Sequence, residues 1–445
     1  TDAFFGGGWQ NLVLGTTGAG AGALSSSGVS PRSAVYAINT TSLNSGPTTL
    51  NASNVLWEVS SNQSDFSELG YVLTDVQAGA SKNTTHPWIA IFGNGYESKS
   101  CKAMLYVVNL QTGARIKEID TGEGNCSTAV NGLGGVRLVR NANQQIIGAY
   151  AGDLLGNVWK FNFNDSDITK WDVDLGKLPL LKAGASQPLT APPAVLKLPL
   201  ATGPATAPKT GYMVMVGTGK FFEVPDITTT TQQSFYSIWD PLEFGTATIA
   251  AGTRLDMSVA ADKTKLVQQT IGASVTSNGN TYAAVSSNPV EYTETLTVRG
   301  CFLNFVGSGQ RMVYPIDVLA NRLAIVDTIS PANVSLDPCV NENGGSAFVY
   351  ILDALTCGAT TNPLLDTNGD GNVDGSDLLV SGFESPADGR NVTLDVGETG
   401  RFVNCSGGSP GCTQIAPNCA DLGTCVTPAP SSGIKSREWR QLFMR

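Results

Sequence analysis

The residues best suited to chemistry lie in one run, Asp366-Thr-Asn368-Gly-Asp370-Gly371-Asn372-Val-Asp374. Side-chain oxygens fall at alternate positions, so a tight loop can turn them toward one point. The carbonyl of Asn372 can add a further ligand, and Gly371 permits the left-handed backbone that folds such a loop around a cation. Asp366, Asp370 and Asp374 repel one another unless a positive charge sits between them. Oxygen-only ligation from a flexible loop suits Ca²⁺ better than Mg²⁺, which demands stricter octahedral geometry. The loop is not a complete EF-hand. The place of the closing glutamate is taken by Asp377, and the preceding LTCGATTNPLL has no amphipathic helical pattern. Asn-Gly and Asp-Gly are ordinary turn dipeptides, so a solvated turn cluster is the competing reading. The unbroken alternation of oxygens favours Ca²⁺.

Other candidates are poorer. GTTGAGAGAL (15–24) lacks a full dinucleotide-binding glycine pattern and leads into no helical periodicity, so it reads as an inter-strand loop. The single histidine, His86, precedes Pro87-Trp88 and has no evident catalytic partner; a turn residue is expected. Trp9, Trp57, Trp88, Trp159 and Trp239 sit at strand edges and are read as packing residues rather than sugar platforms. Asn39, Asn62 and Asn83 head Asn-x-Ser/Thr triplets, which chance supplies readily in a chain this rich in those residues.

Nine cysteines occur, four of them in the Gly/Pro-rich tail as Cys405, Cys412, Cys419 and Cys425. Their loose spacing, with no CxxC pair, favours disulfides of an oxidising compartment over a zinc site. The expected pairs are Cys405–Cys412, Cys419–Cys425 and Cys101–Cys126; the odd count of nine leaves at least one thiol unpaired or paired outside the chain. No apolar run is long enough to span a bilayer. With no leader ahead of Thr1, the chain is expected to be a mature or truncated piece of a secreted protein.

These residues need a scaffold, and composition indicates its class. Only 14% of the 445 residues are charged, whereas turn formers abound and 41% are hydrophobic, which suits an all-β fold with a real core. The net charge of −10 argues against nucleic acid and anionic membrane surfaces. Short apolar strands separated by tight turns recur in AVYAIN (34–39), VLWEVS (55–60), AMLYVVNLQTGARIKEIDTG (103–122), IIGAYAGDLLGNVWKFNF (146–163), YMVMVGTGKFFE (212–223), SFYSIWDPL (234–242), RMVYPIDVLANRLAIVDTI (311–329) and SAFVYILDALTCG (346–358). Such repetition suggests a β-propeller of about six to eight blades. Trp159 and Phe161 are expected between neighbouring blades. The domain is read as 1–445, with an insertion at 358–432 holding the acidic loop and the cysteine tail. Residues 182–210 read as an extended crossing, and SGIKSREWRQL as a returning last strand.

Laid out in order, WQNLVLGTTGAGAGA, WIAIFGNGYES, LYVVNLQTG, YAGDLLGNVWKFNF, SQPLTAPP, VGTGKFFE, SFYSIWD, RGCFLNF, DPCVNENGGSAFVYILDALTCG, DTNGDGNVD and SREWRQL make the chain closely resemble the C-terminal half of PilY-type proteins, adhesins of type IV pilus tips. The resemblance implies an all-β, modified β-propeller of seven blades with loop insertions. It implies a calcium loop controlling pilus extension and retraction, with Asp366, Asn368, Asp370, the Asn372 carbonyl and Asp374 as its ligands. It also implies association with minor pilins at the pilus tip, a cell-surface location reached through the periplasm, a role in twitching motility, and adhesion to a host or abiotic surface whose ligand is unknown. Many relatives carry a second Asp-rich loop before YAGDL; here VRNANQQIIG (139–148) has no carboxylate, and no cation is expected there. The adhesive N-terminal region of the full-length family is missing from this sequence. The expectation is a non-enzymatic binding and assembly protein. A quinoprotein-like dehydrogenase, suggested by the YAGDLLGNVWKF spacing, and a secreted carbohydrate-binding or hydrolytic propeller are the alternatives.

Overall fold

The computed structural model describes residues 1–18, 33–45, 49–200, 207–249, 252–293, 295–319, 322–330, 346–370, 373–385, 392–397, 400–405 and 414–415. Strand accounts for 43% and helix for 6%, which fits the all-β expectation. Among the described residues the one α-helical turn is Ala260–Lys263. No helix among the described residues is long and apolar enough to cross a membrane.

The chain forms two compact units, Thr1–Pro193 with Glu243–Leu255, and Ala194–Leu242 with Asp256–Lys435. The first contains three antiparallel sheets. Asp2–Phe5, Gly8–Thr16, Ala34–Asn39 and Val55–Ser60 form one; Gln77–Ala80, Trp88–Gly93, Met104–Asn109 and Arg115–Asp120 form the next. The third is built on Leu133–Arg140, Ile146–Asp153 and Asn157–Asn162. Because side chains alternate across a strand, the middle sheet supplies two cores. Ile89, Ile91, Leu105 and Val107 join Trp159 and Phe161, while Ala90, Phe92, Tyr106 and Val108 join Val35, Trp57 and Val59. That is why WIAIFG and MLYVV read as unbroken apolar runs: both faces are covered. Trp159 and Phe161 lie between sheets, as expected.

Strand ends repeat one device, an Asp or Asn whose side chain accepts from the backbone of the turn it opens. Asn109 Oδ1 accepts from Gln111 N at 3.0 Å and Thr112 N at 3.1 Å. The turn closes at Gly113 (φ 72°), where an added Cβ would lie 2.6 Å from the Trp57 ring, so only glycine fits. The strongest case is Asp153. Its fully buried carboxylate accepts from Leu155 N (3.0 Å), Asn157 N (2.9 Å), Asn157 Nδ2 (2.9 Å), Asn131 Nδ2 (3.0 Å) and Trp159 Nε1 (2.8 Å). Burial holds its carboxyl above the ordinary range, and the Asn131, Asn157 and Trp159 donors offset only part of that rise.

The second unit has a sheet ordered Ala194–Lys197, Tyr212–Gly217, Ser234–Asp240, Gly300–Asn304 and, parallel to the last, Leu266–Gln269. A six-stranded sheet follows, ordered Ile271–Ser277, Asn280–Val285, Gly382–Ser385, Ser346–Asp353, Leu323–Ser330 and Asp317–Leu319. Three further strands, Val392–Gly397, Gly400–Cys405 and Gln414–Ile415, form a small sheet. One core joins Met215, Phe235 and Leu303 to Val285, Val326 and Leu352. Asp353 repeats the strand-end device, accepting from Leu355 N at 2.8 Å and bridging Arg322 at 2.5 Å.

Several particulars differ from the sequence reading. Ala194–Lys197, inside the supposed crossing, is a sheet strand, and Gly382–Ser385, inside the supposed insertion, pairs with two strands. Trp57, Trp159 and Trp239 are buried, but Trp9 is 62% exposed and meets Phe4 and Trp88 edge-on. The Cys101–Cys126 disulfide is present. A second, Cys301–Cys357, was not anticipated; both its cysteines are fully buried, and it ties Gly300–Asn304 to the turn after Ser346–Asp353. In the chain-entropy account, a crosslink over 56 residues is worth about 4 kcal/mol. Cys412, Cys419, Cys425 and the expected last strand lie outside the described residues.

Replacing Asp153 by Ala leaves its buried donors without an acceptor. The expected loss is about 3 kcal/mol of stability, read as a lower urea midpoint with unchanged slope. Glu291→Ala, at an exposed carboxylate, should leave the midpoint where it is.

Candidate metal-binding loop

The acidic loop hangs from a hydrophobic anchor. Leu364 and Leu365 on its incoming arm and Val380 on its outgoing arm pack with Tyr282, Ile325, Val349, Ile351 and Phe383 of the six-stranded sheet. Between these anchors the described backbone is held by local hydrogen bonds to Asp and Thr side chains.

Asp377 organises that bonding. It is 8% exposed. Oδ1 accepts from Thr367 N (2.6 Å), Thr367 Oγ1 (3.1 Å) and Asn368 N (3.3 Å), and Oδ2 from Asp374 N (2.9 Å). One carboxylate thus clamps both arms of the loop. Thr367 returns the connection, because its Oγ1 accepts from Leu378 N at 2.8 Å and its carbonyl from Ser277 Oγ at 2.7 Å. Gly369 (φ 77°) passes so close to Asn278 that an added Cβ would lie 2.0 Å from Nδ2.

Of the sequence-predicted ligands, Asp366, Asn368, Asp370 and Asp374 line the outer side of this clamp. Asp366 Oδ1 accepts from Gly369 N at 2.7 Å, and Asn368 Oδ1 from Asp370 N at 2.9 Å. Asn368 Nδ2 donates to Asp370 Oδ2 at 3.2 Å and Ser376 Oγ at 2.9 Å. Asp374 uses Oδ1 to accept from Ser376 N (2.8 Å) and Ser376 Oγ (2.7 Å), and these bonds hold its carboxyl below the ordinary range. The loop therefore brings Asn368, Asp370, Asp374 and Ser376 together. Among the described residues, no three carboxylate, imidazole or thiol side chains converge as a ready metal cage. Asn372, whose carbonyl is the expected fifth ligand, lies outside the described residues with Gly371. The donor set present, carboxylate and amide oxygens on a pre-bent backbone, has the chemistry of a hard cation.

In the sequence alone Asp377 shows only as a departure from the EF-hand. Its place at the loop's closing position was the available signal for the clamp. His86 sits in a turn, its N–H donating to Asn83 Oδ1 at 2.7 Å and its ring 3.5 Å from Asn109 Nδ2, with no acid facing it among the described contacts.

Residues 1–276 match the family model described as the PilY1 beta-propeller domain, which agrees with the propeller class expected from the sequence. The chain is 28% identical over 443 residues to a type IV pilus biogenesis factor PilY1 homolog of Xylella fastidiosa, covering 93% of this chain and 26% of that protein. It is 28% identical over 484 aligned residues to the type IV pilus biogenesis factor PilY1 of Pseudomonas aeruginosa, covering 99% of this chain and 36% of that protein. The chain thus spans little more than a third of either relative's length at most. The crystal structure of the Pseudomonas aeruginosa PilY1 C-terminal domain superposes with a TM-score of 0.70 at 27% identity, over 94% of this chain and 83% of that one.

If Asp377 is the clamp, Asp377→Ala should speed hydrogen exchange at Thr367, Asn368 and Asp374 by about tenfold, about 1.4 kcal/mol of local stability. The strand amides of Ser346–Asp353 should keep their protection. Gly369→Ala should disturb the same amides, because its φ of 77° is a left-handed conformation that alanine adopts only under strain.

Proposed function

This chain belongs to the PilY1 β-propeller family, and we propose on that premise that it is the C-terminal portion of a type IV pilus biogenesis factor. The observation that carries the reading is the agreement with the PilY1 C-terminal domain along almost the whole chain. Its relatives are named as biogenesis factors, not as enzymes. The dehydrogenase and carbohydrate-hydrolase readings accordingly fall away. Pilus components, minor pilins among them, are the partners this role requires, and the pilus at the cell surface is where it acts. Adhesion to host or abiotic surfaces belongs to the same reading.

Within this role, residues 366–374 take up one Ca²⁺ through Asp366, Asn368, Asp370, the Asn372 carbonyl and Asp374. The support is chemical. Carboxylates close along a tight loop gain from a cation among them, and Asp377 already holds the two arms at the required bend. The loop is fastened to the sheet by Leu364, Leu365 and Val380, so occupancy changes its surface without unfolding the strands beneath. A cation-dependent change confined to such a surface is suited to regulating pilus extension against retraction.

Calorimetry on the purified chain should find one Ca²⁺ bound, with binding abolished by Asp370→Ala while far-ultraviolet circular dichroism stays unchanged. Unaltered affinity in that variant would dismiss the site. In a bacterium lacking its own factor, the full-length protein should restore surface pili and twitching, and its Asp370→Ala form should restore pili with altered retraction. Normal piliation in the deletion strain would dismiss the assembly role.

A further inference from the structure

The strand Ile271–Ser277 stands at one end of the six-stranded sheet and pairs only with Asn280–Val285 among the described residues. Residues 272–276 are exposed. The connection is a two-residue turn, Asn278-Gly279, with φ 46° and 77°, the left-handed pair that a tight hairpin selects. That turn fixes which backbone groups face outward. Ser277 faces Asn280 and Val275 faces Tyr282 as hydrogen-bonded pairs, so Ser274 and Thr276 direct their N–H and C=O away from the ladder.

Sheet edges of soluble proteins are ordinarily guarded by lysine, proline, inward-turned charge or a bulge. Here a bulge between Ile271 and Ser274 guards the start of the strand, and among the described residues nothing of the kind protects Ser274–Ser277. No charged residue occurs from 271 to 290. The other end of the edge runs into the acidic loop, through Ser277 Oγ to the Thr367 carbonyl at 2.7 Å and through Asn278 against Gly369. From 346 to 385 there are six acidic residues and no lysine or arginine. The sheet's exposed edge is thus neutral along its length and negative at its turn.

We propose that this edge is a strand-addition site for an extended segment of a partner polypeptide, uncharged along the strand and carrying a lysine or arginine where it passes Asp366, Asp370 and Asp374. Open backbone donors and acceptors demand an extended backbone, and alternate side chains of the guest then lie on the two sheet faces. The charge at the turn sets polarity and register. A second copy of this chain, with its net charge of −10 and its own neutral strand, brings no cation to those carboxylates. The site does not require the calcium reading, because the edge and the carboxylates are present without the metal.

The probe is a short peptide of alternating threonine and valine ending in lysine and arginine, offered to the intact chain in EDTA, so that a failed calcium site leaves the test standing. Exchange at the Ser274 and Thr276 amides should slow by at least about tenfold on saturation, with Val275 and Ser277 already protected in the free chain. A counterpart ending in two glutamates should bind at least about tenfold more weakly. Thr276→Pro removes an outward N–H without touching the ladder and should abolish the protection. Equal binding of the two peptides, protection confined to other strands, or concentration-dependent self-association that shields Ser274 and Thr276 without peptide would each overturn the proposal.

Discussion

A buried carboxylate is tolerable only when its lone pairs are filled, and Asp153 meets that condition with five donors drawn from its own hairpin, from Asn131 and from the Trp159 indole. The consequence reaches beyond one turn. Filling Asp153 fixes the hairpin Ile146–Asp153 to Asn157–Asn162, and that register sends Trp159 and Phe161 into the core shared with Ile91 and Leu105. A slip of one residue would turn both aromatics to the opposite face. Asn109 and Asp353 apply the same logic more modestly, capping turns without a full set of side-chain donors.

Polar capping inside and apolar faces between sheets leave little freedom where strands are covered on both sides. Freedom appears where covering stops. The six-stranded sheet is covered on one face by the anchors of the acidic loop, while its terminal strand, Ile271–Ser277, is exposed over residues 272–276 and has one partner strand among the described residues. That strand and the acidic loop are neighbours, joined by the Ser277 hydroxyl and the close passage of Gly369 past Asn278. In the first unit Trp9 is likewise exposed, supported edge-on by Phe4 and Trp88.

What could be read from the sequence follows the same division. YAGDLLGNVWKF announced its hairpin and its buried aromatics because turn chemistry and apolar alternation agree there. DTNGDGNVD stood out because its oxygens recur at fixed spacing, a local property. The strand IGASVTS carries no aromatic and too few large apolar residues to show a period, so only its partner strand and the Asn-Gly turn reveal it. Cys301–Cys357 joins residues 56 apart that chain folding alone brings together, and no spacing rule points to it. Ala194–Lys197 was concealed by flanking prolines that read as a crossing. Trp9 was grouped with the packing tryptophans because exposure depends on which strand lies beside it.

The clamp at Asp377 gives the acidic loop a division of labour. One carboxylate turns inward and is used up by Thr367, Asn368 and Asp374 backbone donors, while the others are left on the outer side with short local bonds to Gly369 and Ser376. A loop held only by outward carboxylates would spread under their mutual repulsion. A loop held only by burial would have no charge to offer. By separating the two tasks, the sequence keeps negative charge at a fixed place beside Asn278 and the turn of the open edge. Neutralising that charge, by a bound cation or by a basic side chain of a guest strand, then acts on the same few ångströms of surface. Metal and guest would thus be linked through a shared field, and each would change the affinity for the other by the same factor.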